Sequence, residues 1–457
     1  MGSEGVILHV DADAFFASVE QRQKPSTATA PVIVCGLGPR GVVATASYQA
    51  RRFGVGSAMA TATAMRRSPH GVFLAPRMQA YREHSAVIMT VLSRFADVLE
   101  QVSIDEAYLQ IHSPTLAADQ LIAEVAAAVW HATGLRVSVG AGHSKLLAKL
   151  ASTSAKPQGL RVITSEQQQP FLDALPVTAL PGIGPVAAAR LTEMGIDTVA
   201  QLRAQPTRLL QRLLGTAAGT AAMAMAQGRD PRPVGPSREA KTVSAERTMD
   251  YDVPASQLEP VLDTVLTAAH TRLAESGAAA RTVTVRLRDA HFTTVGRSIS
   301  LPQASTELGE LRSAAVTALR SAIEAMGLDA EEESGVGARL LGVALGALST
   351  SAQLTLLPGE TAHQTFTDAI ALPQQDNQPP ALGPRADDWL PGRDVEHADF
   401  GRGWVVRSIP AQDAPSGSTE VHVRFETANS RFARQRRFPI GDPRLTTTTS
   451  AAVQPIA

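Results

Sequence analysis

The stretch EQVSIDEAYLQI, Glu100 to Ile111, alternates like a half-buried strand, yet it sets Asp105 and Glu106 side by side at its centre. Neighbouring side chains of a regular strand point to opposite faces. Both acids can serve one site only if the chain turns there, so the stretch reads as a β-hairpin with the acids at its turn. Like charges held together repel unless a cation lies between them. A second motif supplies a third acid: in HVDADAFF an apolar strand, Val6 to Val10, breaks at Asp11. If the two strands are neighbours in one sheet, Asp11, Asp105 and Glu106 converge at its edge. The competing reading is an exposed hairpin tip. Neither motif carries an obvious partner cation, and hard carboxylate oxygens suit Mg²⁺, which also takes substrate phosphates. Two such ions about 3.5–4 Å apart activate an attacking oxygen and stabilise a leaving one, the chemistry of phosphoryl and nucleotidyl transfer.

Around these motifs strands and helices mix. VVATASYQARRFGV reads as strand, turn and helix. HSAVIMTVLSRFADVLEQ begins with helical spacing, LIAEVAAAVWHATG is a helix ending at Gly134, and RVSVGAG is a strand before the basic helix SKLLAKLASTSAK. This predicts an α+β or α/β region to about residue 165. Residues from about 166 to 230 read as all-helical. GRDPRPVGPSREAK (228–241) is a Pro/Gly/Arg-rich boundary. Beyond it RTVTVRL and GRSISL alternate as strands, helices are expected at 256–275 and 306–326, and RLLGVALGAL is a further strand. Residues 358–390 are Gln/Pro/Asp-rich and read as disordered. A last unit of short strands with Gly turns covers about 391–445.

The 457 residues suggest roughly three domains at ~150 residues each. A net charge of −1 means that any surface for a polyanion must be local. Two stretches fit: seven arginines and no acid from Arg40 to Arg82, and five Lys/Arg and no acid from Arg136 to Arg161. In ATASYQARRFG, Thr45, Tyr48 and Arg51 offer a hydroxyl, a phenol and a guanidinium suited to a triphosphate, and Lys156 in SAKPQG adds a point charge. LPGIGP followed by a helix resembles the hairpin of a helix-hairpin-helix motif, where Gly182 and Gly184 let backbone N–H groups approach a DNA phosphate. The lone cysteine, Cys35, excludes an intrachain disulfide framework and reads as a buried, inert thiol. No apolar run reaches the ~18 residues of a spanning helix, so the expectation is a cytoplasmic protein without membrane contact.

Taken in order, HVDADAFFASVEQ, VVATASYQARRFGV, SIDEAYL, HSKLLAKLASTSAKPQGL, LPGIGP, FTTVGRSISLP and RLLGVAL resemble the Y-family DNA polymerases, most nearly the bacterial DNA polymerase IV (DinB) type, from about Ile7 to Leu357. The resemblance implies an α+β right-hand polymerase. Its palm would be residues 1–23 and 78–165, its fingers 24–77, its helix-hairpin-helix thumb 166–235, a linker 236–241 and a little finger 242–350. It implies template-directed, low-fidelity translesion synthesis without a proofreading exonuclease. Asp11, Asp105 and Glu106, with the Ala12 carbonyl, would bind two Mg²⁺, Mn²⁺ being an alternative ion. Thr45, Tyr48, Arg51 and Lys156 would hold the incoming dNTP, and Phe16 falls at the steric-gate position that excludes ribonucleotides. Gly182 and Gly184, with Arg286 and Arg288 on one face of a little-finger strand, would meet the backbone of a primer-template. His143, where an Asn often stands in the family, is left without a role.

SAQLTLLP at 351–358 places Gln353, Leu356 and Leu357 as in the peptide that bacterial polymerases insert into the sliding clamp (the beta subunit). A disordered linker (359–390), a small SH3- or Tudor-like unit (391–445) of open partner and a tail (446–457) would complete a monomeric enzyme. Two rival readings are a catalytically silent DNA- and clamp-binding scaffold, against which the intact acids argue, and a palm-type nucleotidyl cyclase, which leaves LPGIGP unexplained.

Overall fold

The computed structural model describes residues 5–235, 240–328, 337–349, 389–409, 419–426 and 435–448. The chain divides into two compact units: residues 1–37, 41–237 and 382–457 in the first, 38–40 and 238–381 in the second.

In the first unit, β1 (Val6–Ala12) leads into α1 (Phe15–Gln23). A small sheet follows, with β2 (Val32–Cys35), β3 (Val43–Ala46), the short helices α2 (Tyr48–Arg51) and α3 (Thr61–Arg67), and β4 (Val72–Leu74), in the order β3-β2-β4. Cys35 is fully buried there, and burial raises its thiol pKa, as an inert thiol requires. Helix α4 (Met78–Leu92) leads back to β5 (Val98–Gln101), β6 (Glu106–Ile111), α5 (Ala118–Thr133), β7 (Val137–Gly142), α6 (Lys145–Ala155) and β8 (Leu160–Val162). These strands and β1 form one sheet in the order β5-β6-β1-β7-β8.

Central β1 is buried along both faces. Leu8, Val10 and Ala12 join the core formed with α4 and α5, while His9 meets Ser152 of α6 at 2.7 Å. Helix α6 lies so close to β7 that a Cβ on Gly140 would fall 2.2 Å from both the Ala148 carbonyl and the Ser152 nitrogen. Helices α7 (Ser165–Asp173), α8 (Pro185–Thr192), α9 (Val199–Arg203), α10 (Thr207–Leu214) and α11 (Thr216–Ala226) then share a core with α6. Thr164 and Thr198 open α7 and α9 with reciprocal capping boxes, which explains why these polar positions start helices.

The second unit holds β9 (Thr242–Val253), α12 (Leu258–Ser276), β10 (Ala279–Arg288), β11 (Thr294–Ser305), α13 (Leu308–Met326) and β12 (Ala338–Ser349), with sheet order β11-β10-β12-β9. Alternation along β10 buries Val283, Val285 and Leu287 against α12 and α13 and leaves Arg286 exposed.

The chain then contributes to the first unit again with β13 (Asp394–His397), β14 (Gly401–Ile409), β15 (Glu420–Phe425), β16 (Gln435–Pro439) and β17 (Leu445–Thr447). These form an antiparallel sheet in the order β16-β15-β14-β13-β17 around Val395, Val405, Val423, Phe425 and Phe438. Among the described residues its two end strands are not paired with each other.

Candidate active site

Strands β1 and β6 are antiparallel neighbours, and their register sets Asp11 directly opposite Glu106. The backbone N–H of Ala12 donates to the Asp105 carbonyl at 3.0 Å, holding the hairpin turn against the end of β1. Ser103 shapes that turn: its Oγ accepts from the N–H groups of Asp105 (3.2 Å) and Glu106 (3.0 Å) and donates to Asp105 Oδ1 at 2.5 Å. A strand that would send consecutive side chains apart is thereby bent before Glu106 begins β6.

The acids are not left without cations, as the two motifs alone suggest. Lys156, just past α6, lies 2.6 Å from Asp11, and Lys149 of α6 lies 2.7 Å from Glu106. His9 Nε2 approaches Glu106 at 3.5 Å. Burial pushes Asp11 up to about 6 against the pull of Lys156, and the charges of Glu106 and Asp105 add to the rise. His9 and Lys149 hold Glu106 down to about 2 against its own burial. The 3.5 Å His9 contact is at the limit of hydrogen bonding, so the Lys149 ion pair is the firmer hold. Among the described residues no three acid, His or Cys side chains are gathered as a ready metal cage. The donor set nonetheless fits a hard divalent ion. It is all oxygen, and its two cross-strand acids already draw ammonium groups into the place where positive charge is needed.

Tyr48 and Arg51 share a face of α2: the Arg51 guanidinium lies 4.5 Å over the Tyr48 ring, and its Nε donates to the Ala46 carbonyl at 3.0 Å. Ser47 caps α2 and accepts from the Val32 N–H at 3.0 Å. Thr45 sits half-buried on β3. Phe15 is the core phenylalanine, whereas Phe16 is half-exposed and stacks on Tyr81 with 4.2 Å between ring centres and 10° between planes.

Residues that the motif reading passed over hold this site. Asp13 is buried and accepts from the Tyr48 hydroxyl, the Ser138 hydroxyl and the Gln158 backbone N–H. Its signal in the sequence is the second acid of the DAD repeat. Lys149 was visible only as part of a basic helix.

In the helical region Gly182 has φ +89, a conformation that favours glycine, and the positions where Cβ atoms would stand at Gly182 and Gly184 are open. Gly184 caps α8, with Pro185 at its first position. Arg288 is half-exposed beside exposed Arg286 in the second unit. Gln353, Leu356 and Leu357 lie outside the described residues, and no described helix is long and apolar enough to cross a membrane.

Acids paired across neighbouring strands, a helix presenting a phenol and a guanidinium beside a small sheet, and a helical region with an open glycine turn fit a right-hand nucleotide polymerase. Residues 10–153 match the impB/mucB/samB family, 240–356 the C-terminal domain of that family, and 178–230 the DNA polymerase-iota thumb domain. DNA polymerase IV of Streptomyces coelicolor is 38% identical over 455 residues, 98% of this chain and 91% of that protein. DNA polymerase IV of Corynebacterium diphtheriae is 33% identical over 458 residues, 95% and 96% of the two chains. Among solved structures, a Y-family DNA polymerase chimera of Dbh and Dpo4 is 27% identical with a TM-score of 0.69, covering 75% of this chain and 99% of its own. The insertion ternary complex of Dbh DNA polymerase is 27% identical with a TM-score of 0.54, covering 75% and 98%. The chain belongs to the Y-family DNA polymerases, in their bacterial DNA polymerase IV (DinB) branch. It is a DNA-directed DNA polymerase of the translesion kind, with DNA and nucleotides as its partners, and its family depends on a divalent metal.

Proposed function

We propose that Asp11, Asp105 and Glu106, with the Ala12 carbonyl, hold two Mg²⁺ ions for nucleotidyl transfer from a dNTP to a primer 3′ end. The observation that carries the reading is the Asp11–Glu106 cross-strand pair beside the Asp105 turn, with burial raising Asp11 and two ammonium groups drawn in. When bound, the ions lower the barrier by activating the attacking oxygen and stabilising the leaving one. The chain's own groups do the rest. Arg51, fixed by the Ala46 carbonyl, presents its remaining guanidinium donors to the triphosphate from a pre-set position, and Tyr48, held beside it by Asp13, would turn its hydroxyl from Asp13 to a phosphate oxygen. Lys156, on Asp11 in this structure, would turn to a phosphate oxygen, and Thr45 would add a hydroxyl. Phe16, backed by Tyr81, would lie beneath the sugar and clash with a 2′-hydroxyl.

Gly182 and Gly184 would bring backbone N–H groups to a DNA phosphate, and Arg286 and Arg288 would bind backbone from the second unit. Gln353, Leu356 and Leu357 would tether a monomeric enzyme to the sliding clamp in the cytoplasm. The test is Asp105→Ala in primer extension with Mg²⁺ and dNTPs, beside a DNA-binding measurement. Extension should vanish while binding survives; retained extension would refute the acid assignment.

A further inference from the structure

The C-terminal sheet is built into the rest of the first unit. Trp404 of β14 is buried against Ala17, Val32 and Leu74, from α1, β2 and β4. Its indole N–H donates to Glu426 at 2.8 Å, and Glu426 also accepts from the backbone N–H and the hydroxyl of Ser26. The Ala75 N–H donates to the Pro391 carbonyl at 2.9 Å.

At the centre of this seam lies a buried charge cluster. Glu20 and Lys24 are fully buried, and Asp394 of β13 is 2% exposed. Lys24 Nζ meets Glu20 at 2.5 Å and Asp394 at 3.6 Å. Arg77 donates to both oxygens of Glu20, at 2.8 and 2.9 Å, and pairs with Asp394. Lys24 and Arg77 thus face both acids, with Arg402 a third cation 3.9 Å from Asp394, and one of the acids comes from the C-terminal sheet. Removing one partner of such a group leaves a buried charge uncompensated, which is strongly destabilising.

The cluster continues toward the catalytic face. Phe16, Glu20 and Lys24 are spaced four apart along α1 and at its end, and Arg77 and Tyr81 are spaced four apart at the start of α4. The Tyr81 hydroxyl donates to Glu20 at 2.8 Å, and its ring is the one stacked on Phe16. A continuous chain of contacts therefore runs from Asp394 through Arg77, Glu20 and Tyr81 to Phe16.

We propose that Asp394 is a positioning residue for sugar selection: the C-terminal sheet completes the charge cluster that fixes Tyr81 beneath Phe16. The inference rests on the reading of Phe16 as the sugar-selecting ring. Without the Asp394 charge, Arg77 and Lys24 compete for Glu20 alone, the Tyr81 hydroxyl loses its fixed acceptor, and the stacked pair gains room to tilt away from a 2′-hydroxyl.

The experiment measures single-nucleotide incorporation of dNTP and matching rNTP by the full chain, as kcat/KM for each. The variants are Asp394→Asn, Tyr81→Phe, Phe16→Ala and Asp394→Asn/Phe16→Ala. Asp394→Asn and Tyr81→Phe are each expected to lower the dNTP/rNTP preference by about fivefold, through faster rNTP use, and Asp394→Asn should leave dNTP use nearly unchanged. Asp394→Asn should add nothing in the Phe16→Ala background. An unchanged preference in Asp394→Asn, or a parallel fall in both nucleotides, overturns the proposal while Phe16→Ala still relaxes selection. If Asp394→Asn fails to fold, Tyr81→Phe decides, because it leaves the seam intact and cuts only the last polar link. A Phe16→Ala variant that selects as the wild type does would remove the gate reading itself, and the proposal with it.

Discussion

Replacing Asp13 by alanine tests whether the acid behind Tyr48 organises the nucleotide side of the site. Asp13 is 3% exposed. Its Oδ1 accepts from Tyr48 and from Ser138, each at 3.0 Å, and its Oδ2 accepts from Ser138 at 3.0 Å and from the Gln158 N–H at 2.7 Å. A hydrogen bond to a charged group contributes about 1.5–3 kcal/mol. Three donors lose their acceptor, but half-exposed Tyr48 recovers part of the loss from water. The net cost should therefore fall near or above about 3 kcal/mol, from the buried Ser138 and Gln158 donors left without an acceptor at about 1–3 kcal/mol each. At about 2 °C per kcal/mol for a domain of this size, Tm should fall by at least about 6 °C. The functional effect is separate. Tyr48 loses its anchor, so KM for dNTP should rise about tenfold, the loss of roughly one charged hydrogen bond. Asp13→Asn keeps one acceptor and should fall between. Calorimetry and steady-state extension read the two effects, and Asp13→Asn/Tyr48→Phe should show no greater KM than Tyr48→Phe alone. An Asp13→Ala enzyme with wild-type Tm and KM would refute the reasoning.

Gly140→Ala should destabilise the first unit by about 1–3 kcal/mol or more in denaturant unfolding, because its Cβ would meet rigid backbone at 2.2 Å and push α6 outward; wild-type stability would mean that α6 is free to shift. Arg286→Ala/Arg288→Ala should reduce the slope of log affinity for DNA against log salt by roughly two, and an unchanged slope would place both arginines away from phosphate. Gln353→Ala/Leu356→Ala/Leu357→Ala should abolish co-elution with a bacterial sliding clamp while extension of a short primed template persists; retained clamp binding would remove the tether assignment.

Local patterns carried much of the fold. Alternation placed Val283, Val285 and Leu287 inside and Arg286 outside, as β10 has them. The run from Val6 to Val10 announced a strand, and the doubled acids announced a turn, because a regular strand has no place for them on one face. What local pattern cannot state is which strands are neighbours. The pairing of β1 with β6 joins residues nearly a hundred positions apart, and only that pairing makes Asp11 and Glu106 partners. The counter-charges were hidden for the same reason. Lys149 reads as part of a basic stretch, and Lys156 as a charge for the triphosphate, until α6 is laid across β1 and β7. Asp394, in GRDVEH, has the look of an ordinary surface acid, and no periodicity marks it as the missing charge of a cluster whose other members lie more than three hundred residues away.

The small β3-β2-β4 sheet is an excursion: the chain departs at Lys24 and comes home at Arg77. Both of those residues grip the same carboxylate, Glu20, and both are closed over by Asp394. The excursion is therefore clasped at its root like a loop of rope with its two ends tied to one cleat. Its ends cannot part without breaking buried ion pairs, so any flexing of that sheet must be a pivot about the clasp, and the last domain of the chain supplies the pin.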